Sequence, residues 1–135
     1  ILTKFSKEYI LDVIGIVKER AVFESDILKE GAPFFTDAID FNMKAVDKKW
    51  KTELVPSLIL LCDNLFEIED FTSSNIESCF HDYLTSSSMG FGKIMPMLRI
   101  AITGNLAGPS MFHSLQLIGR EKMKRRVESA IDKLK

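Results

Sequence analysis

Two histidines and two cysteines are all that 135 residues contain. Cys62 and Cys79 form no CxxC pair, so neither a disulfide framework nor a paired-thiol redox site is indicated; a reducing cytoplasm is the default. Cys79 and His81 are two candidate metal ligands without a second pair, and a structural thiol is the ordinary reading of such a cysteine. His81 beside Asp82 and His113 beside Ser114 are neighbours at i and i+1, which point apart on a helix and make poor base–partner pairs. Nucleophile elbow, Walker loop and zinc-ligand helix are all missing. "GFGK" at 90 to 93 is too short for a phosphate loop and follows no strand pattern, while Glu67, Glu69 and Asp70 have the look of a solvated helix end. An active site within these residues is not expected. The longest apolar run, "LILLC" at 58 to 62, is far too short for a bilayer. The chain starts without methionine or a signal-peptide pattern, which leads us to expect a piece of a longer protein.

Alternating strand patterns are also missing; helical spacing is what the chain has. In "SKEYILDVIGIVKER", Ser6 suits an N-cap and Glu8 the first turn, and Tyr9, Ile10, Val13, Ile14 and Val17 share one face. "FESDILKEGAPFF" predicts a short helix broken at Gly31 and Pro33, and "DAIDFNMKAVDKKW" a turn and another short helix. Pro56 suits the first turn of the most apolar helix, "TELVPSLILLCDNLFEI". Ile76, Phe80 and Leu84 form a stripe in "TSSNIESCFHDYLTSS". Next, "SSSMGFGK" reads as a flexible junction. It divides the chain into expected helical subdomains at 1–88 and 89–135. "KIMPMLRIAIT" should end at Gly104, and Pro109 should be the first residue of the next helix. Gly119 then separates a last helix in which Met123, Val127 and Ile131 form the stripe, with Arg120, Lys124 and Arg125 off it. The expectation is an all-α bundle or superhelix of short helices.

Composition alone argues against nucleic acid, since the net charge is −1. The charge is unevenly spread, however. Residues 91–135 hold nine basic and three acidic residues, a balance of +6; residues 1–90 hold nine and sixteen, a balance of −7. A basic end can meet an anion, or simply be solvated. Within it lies "LRIAITGNLAGPSMF", residues 98–112. A helix N-terminus offers unpaired N–H groups, Arg99 offers a planar fork, and Met111 and Phe112 could stack on unpaired bases, as splayed RNA loops require. Equally, a Met and a Phe in a first helical turn can belong to the core while an Arg faces water. Spacing leaves both readings open, and a helical protein-interaction module without RNA affinity stands as the alternative.

Residues 90–131 resemble the C-terminal anticodon-binding region of bacterial-type glutamyl-tRNA synthetases. The shared pattern comprises Gly92-Lys93, Leu98-Arg99, Ala101, Thr103-Gly104, Gly108-Pro109, Met111-Phe112 and Gly119-Arg120-Glu121. Upstream, "VKER" at 17–20, "PFF" at 33–35 and "KAVDKKW" at 44–50 resemble the preceding helical subdomain. The resemblance implies an all-helical unit that grips the anticodon loop of glutamate tRNA. It implies that Arg99, Gly108, Pro109, Met111 and Phe112 lie at the anticodon, with Arg20 at its third base. Lys93, Arg120, Lys122, Lys124 and Arg125 become candidate phosphate neighbours. The synthetase's two catalytic signatures, resembling His-Ile-Gly-His and Lys-Met-Ser-Lys, are not in this sequence. The implied division of labour is recognition here, with no cofactor, and chemistry in an N-terminal catalytic domain of the same chain, which would join glutamate to tRNA using ATP and magnesium. The implied protein is a cytoplasmic monomer without a membrane attachment.

Overall fold

The computed structural model describes residues 5–17, 32–35 and 39–134. Among them are six α-helices and no strand, the all-α architecture expected. They are α1 (Lys7–Val17), α2 (Met43–Lys49), α3 (Val55–Phe66), α4 (Ser73–Ser87), α5 (Phe91–Thr103) and α6 (Met111–Lys133), with 3-10 turns at Ala32–Phe34 and Thr52–Leu54. The segment expected as a helix around residues 23–31 lies outside the described residues.

The helix starts follow from local chemistry. The Tyr9 amide donates to Ser6 Oγ at 3.1 Å, and the Asn75 amide to Thr72 Oγ1 at 3.3 Å. Asn42 Oδ1 accepts from the amides of Lys44 and Ala45 at the head of α2. Each satisfies an amide that the helix itself leaves unpaired. Pro56 occupies the first turn of α3, where its missing N–H removes no helical bond. Gly104 ends α5 in the left-handed region (φ 80°). A Cβ there would overlap the Asp40 carbonyl, so glycine is required twice over, for conformation and for close approach.

α5 is the central helix. Ile94, Met95, Met97, Leu98, Ile100, Ala101 and Ile102 are all buried, so after its first turn only the stripe Pro96, Arg99, Thr103 reaches toward solvent. A helix apolar nearly all round belongs inside a bundle. α6 packs against α5, α4, α3 and α1. The junction expected at 88/89 is the α4–α5 turn, where Ser88 adopts left-handed backbone (φ 56°). Buried side chains on both sides of it belong to one apolar cluster, from Val13 and Phe34 through Leu58 and Phe80 to Met97 and Val127.

Two expectations about α6 are corrected. Pro109 is not its first residue; Ser110 is the N-cap and the helix opens at Met111. Met111 is not at the surface but 2% exposed. Its buried companions Ser114, Leu115 and Ile118 stand three, four and seven residues on, so Met111 begins the inward stripe of that arm. Gly119 (φ 86°, ψ 161°) does interrupt α6, as expected, and re-aims the remaining turns. Beyond it, Met123, Arg126, Val127 and Ala130 repeat the same inward spacing.

Candidate nucleic-acid interface

The corner where α5 passes into α6 is built around Arg99. Its Nη1 donates to the Pro109 carbonyl at 2.9 Å, bridging the end of one helix and the approach to the next. The same nitrogen would lie 3.2 Å from a Cβ at Gly108, so the guanidinium rests on that residue's bare backbone. Here glycine permits close packing. Thr103 Oγ1 donates to the Arg99 carbonyl at 2.9 Å, and Asn105 Oδ1 accepts the Leu106 amide at 2.9 Å. A 2.8 Å bond from the Asn42 amide to the Gly104 carbonyl ties this turn to α2. The loop is therefore held from both ends. Pro109 is buried beneath the corner, while Arg99, Gly108 and Phe112 are half-buried at its rim.

Phe112 extends the corner into an aromatic surface. It meets buried Phe80 at a ring separation of 5.7 Å and 69°, and His81 at 6.4 Å. Phe91 and His81 continue it, nearly parallel at 18° and 6.3 Å apart.

The candidate phosphate residues do not gather in one place. Arg120 is engaged in the fold: Nη1 donates to the Phe66 carbonyl at 3.0 Å and Nη2 to that of Glu69 at 3.1 Å, with the guanidinium 5.3 Å from the Phe71 ring. It satisfies carbonyls at and just beyond the C-terminus of α3, where a cation is also favoured by the helix dipole. Lys124 Nζ sits 4.8 Å above the Phe66 ring beside it. Lys122 and Arg125 line a different feature, a cavity of about 320 Å³ shared with Phe41, Arg126 and Lys133. Lys93 is exposed in the first turn of α5. Arg20 lies outside the described residues.

Sequence reasoning missed Arg126. It is only 5% exposed and donates to the Ile102 carbonyl at 2.7 Å and the Pro33 carbonyl at 2.6 Å. Its position three residues after Met123 and four before Ala130 was the available signal: a cation on the apolar stripe. Nearby, burial raises the pKa of the Tyr9 hydroxyl, with the Arg126 charge opposing; that hydroxyl donates to the Phe34 carbonyl at 2.7 Å. No group of three or more His, Cys, Asp or Glu suited to a metal occurs among the described residues, and no helix among them is long and apolar enough to cross a membrane.

Residues 1–131 match the sequence pattern of the anticodon binding domain. The chain belongs to that family. This anticodon binding domain is 34% identical over 129 residues to the glutamate–tRNA ligase of Christiangramia forsetii, covering 96% of this chain and 26% of the relative. It is 36% identical over 124 residues to that of Flavobacterium psychrophilum, covering 92% and 25%. Its fold superposes on a glutamate tRNA ligase crystal structure from Elizabethkingia meningosepticum with a TM-score of 0.89 and 32% identity, covering 99% of this chain and 27% of that one. The chain thus spans about a quarter of the length of these relatives. The domain corresponds to their anticodon-binding portion.

Proposed function

We propose that this domain grips the anticodon loop of glutamate tRNA on behalf of a cytoplasmic glutamate–tRNA ligase. The observation that carries this reading is the Arg99–Gly108–Pro109 corner inside a chain that matches the anticodon binding domain over residues 1–131. A guanidinium held by Pro109 is oriented before any ligand arrives, and a planar group of that kind suits a base edge or a phosphate. Phe112 beside it is the stacking face. Pro109 and Met111 act from beneath, setting the angle at which α6 starts. Gly108 lets the guanidinium lie close. Residues 89–135 carry these contacts; residues 1–88 form the other part of the grip, with Arg20 at the third anticodon base. Lys93, Lys122 and Arg125 attract the phosphate backbone. The parent would join glutamate to its tRNA using ATP and magnesium in a catalytic domain preceding this one.

Titration of the chain with glutamate tRNA at two salt concentrations tests the proposal. Affinity should fall steeply with salt, by about one power of ten per tenfold salt for each phosphate neutralised. A salt-independent affinity, or none, would sink it.

A further inference from the structure

We infer that Phe91 and His81 form a second stacking seat, which takes an unpaired nucleobase next to the one held at Arg99 and Phe112. This rests on the tRNA-binding reading above and adds residues to it. "GFGK" has no phosphate-loop geometry: Gly90 is the N-cap of α5 and Phe91 its first residue. At that point the helix has yet to enter the bundle, and Phe91 is left 46% exposed, whereas α5 buries seven of its later residues. The His81 side chain, from α4, is 53% exposed beside it.

Two features mark the pair as a recognition surface rather than loose side chains. First, it is held from below. Buried Phe80 meets Phe91 at 5.6 Å and 68° and Phe112 at 5.7 Å and 69°, so one core ring supports both outer rings in edge-to-face packing. Such contacts fix ring orientation. Second, the surface continues into the Arg99 corner: Arg99 holds Pro109, Phe112 follows three residues later, and His81 lies against both Phe112 and Phe91. A guanidinium followed by a row of supported rings matches successive unstacked bases, since every base offers a planar face and base–aromatic stacking tolerates any sequence. The occupant is therefore a base of the same loop, and stacking there adds affinity without reading its identity.

The test uses the full chain and an anticodon stem-loop of glutamate tRNA carrying 2-aminopurine at each loop position in turn. In the unchanged chain, one position should be quenched by stacking. Phe91→Leu keeps an apolar contact with Phe80 but removes the ring face. His81→Ala trims an exposed side chain and cannot empty the core. Each should relieve the quenching at that position and weaken binding by about tenfold. If both leave quenching and affinity unchanged while Arg99→Ala weakens binding, the second seat is overturned and the tRNA-binding reading stands. If the unchanged chain does not bind the stem-loop, both fall together. Weaker binding with quenching retained also overturns the seat, because the rings would then act other than by stacking.

Discussion

Arg99 and Pro109 are joined by a 2.9 Å hydrogen bond from guanidinium to carbonyl, ten residues apart in sequence and across the turn that links two helices. The bond makes the arginine a structural brace, and the proposed tRNA contact would make it a ligand-facing group as well. Replacing it by lysine separates its charge from its hydrogen-bonding geometry.

Arg99→Lys keeps the charge but has a single ammonium, which cannot hold Pro109 and present a planar edge together. We expect about a tenfold loss of tRNA affinity with an unchanged salt slope. Arg99→Ala should bind more weakly still and flatten the slope if the guanidinium meets a phosphate. Binding isotherms at several salt concentrations check this. A lysine variant that binds like the parent would show that charge alone suffices.

Arg126→Met preserves length while removing both donors. The Ile102 and Pro33 carbonyls would lose charged partners at 2.7 and 2.6 Å in a buried site. A destabilisation of about 3 kcal/mol and a melting point lower by ~10 °C are expected. Circular dichroism melts measure it, and a shift within a degree or two would show that the carbonyls find other partners.

Gly104→Ala and Gly119→Ala separate strain from crowding. Gly104 (φ 80°, ψ 3°) lies in the left-handed helical region, where alanine costs about 1–2 kcal/mol, and Gly119 (φ 86°, ψ 161°) in a region that essentially only glycine adopts, where alanine costs about 3 kcal/mol. At Gly104 the new methyl also meets the Asp40 backbone, whereas at Gly119 nothing lies within 4 Å. Urea denaturation should rank Gly104→Ala as the more damaging. A Gly104→Ala loss no larger than the ~1–2 kcal/mol that left-handed backbone alone costs would rule out the close approach between Gly104 and Asp40.

Alkaline pH should weaken the fold through Cys62. Burial pushes its thiol up to about 11 from the ordinary 9.0, with Asp63 and Glu128 adding to the rise and Lys124 opposing it. A raised pKa means that the folded state holds the proton more tightly. The stabilisation is therefore complete below pH 9 and lost between 9 and 11, to a limit of roughly 2 kcal/mol. Tyr9, raised by its own burial, acts in the same direction above pH 10. Melting points of the parent should fall more steeply over this range than those of Cys62→Ala. Equal slopes would place the titrating group elsewhere. In the native protein, half-buried Cys79 should also react with a thiol reagent before buried Cys62.

Much of the fold was legible because local rules coincide with the final packing. Ser6 and Thr72 cap the helices their spacing suggested, and Gly104 ends α5 where a left-handed residue was expected. The apolar residues that crowd "KIMPMLRIAI" fit its central place. What spacing did not show is which face meets the bundle. Met111 and Phe112 are adjacent and both apolar, yet one turns inward and the other sits at the rim. Only the continuation through Ser114, Leu115 and Ile118 distinguishes them. Arg126 escaped notice because a stripe was sought in apolar residues only. Arg120 was grouped with solvent-facing cations, but its partner Phe66 is 54 residues away, a relationship no local pattern encodes.

The bond from Arg126 to Pro33 closes a span of 93 residues, and among the helices α1 packs on α6. During synthesis, the inward face of α1, with Val13 and Val17, has no α6 to cover it until translation reaches the last helix. Local helices can form early, but docking of the amino-terminal portion is a late, non-local event. A ribosome paused before residue 126 would display an unfinished bundle whose exposed apolar groove invites chaperones.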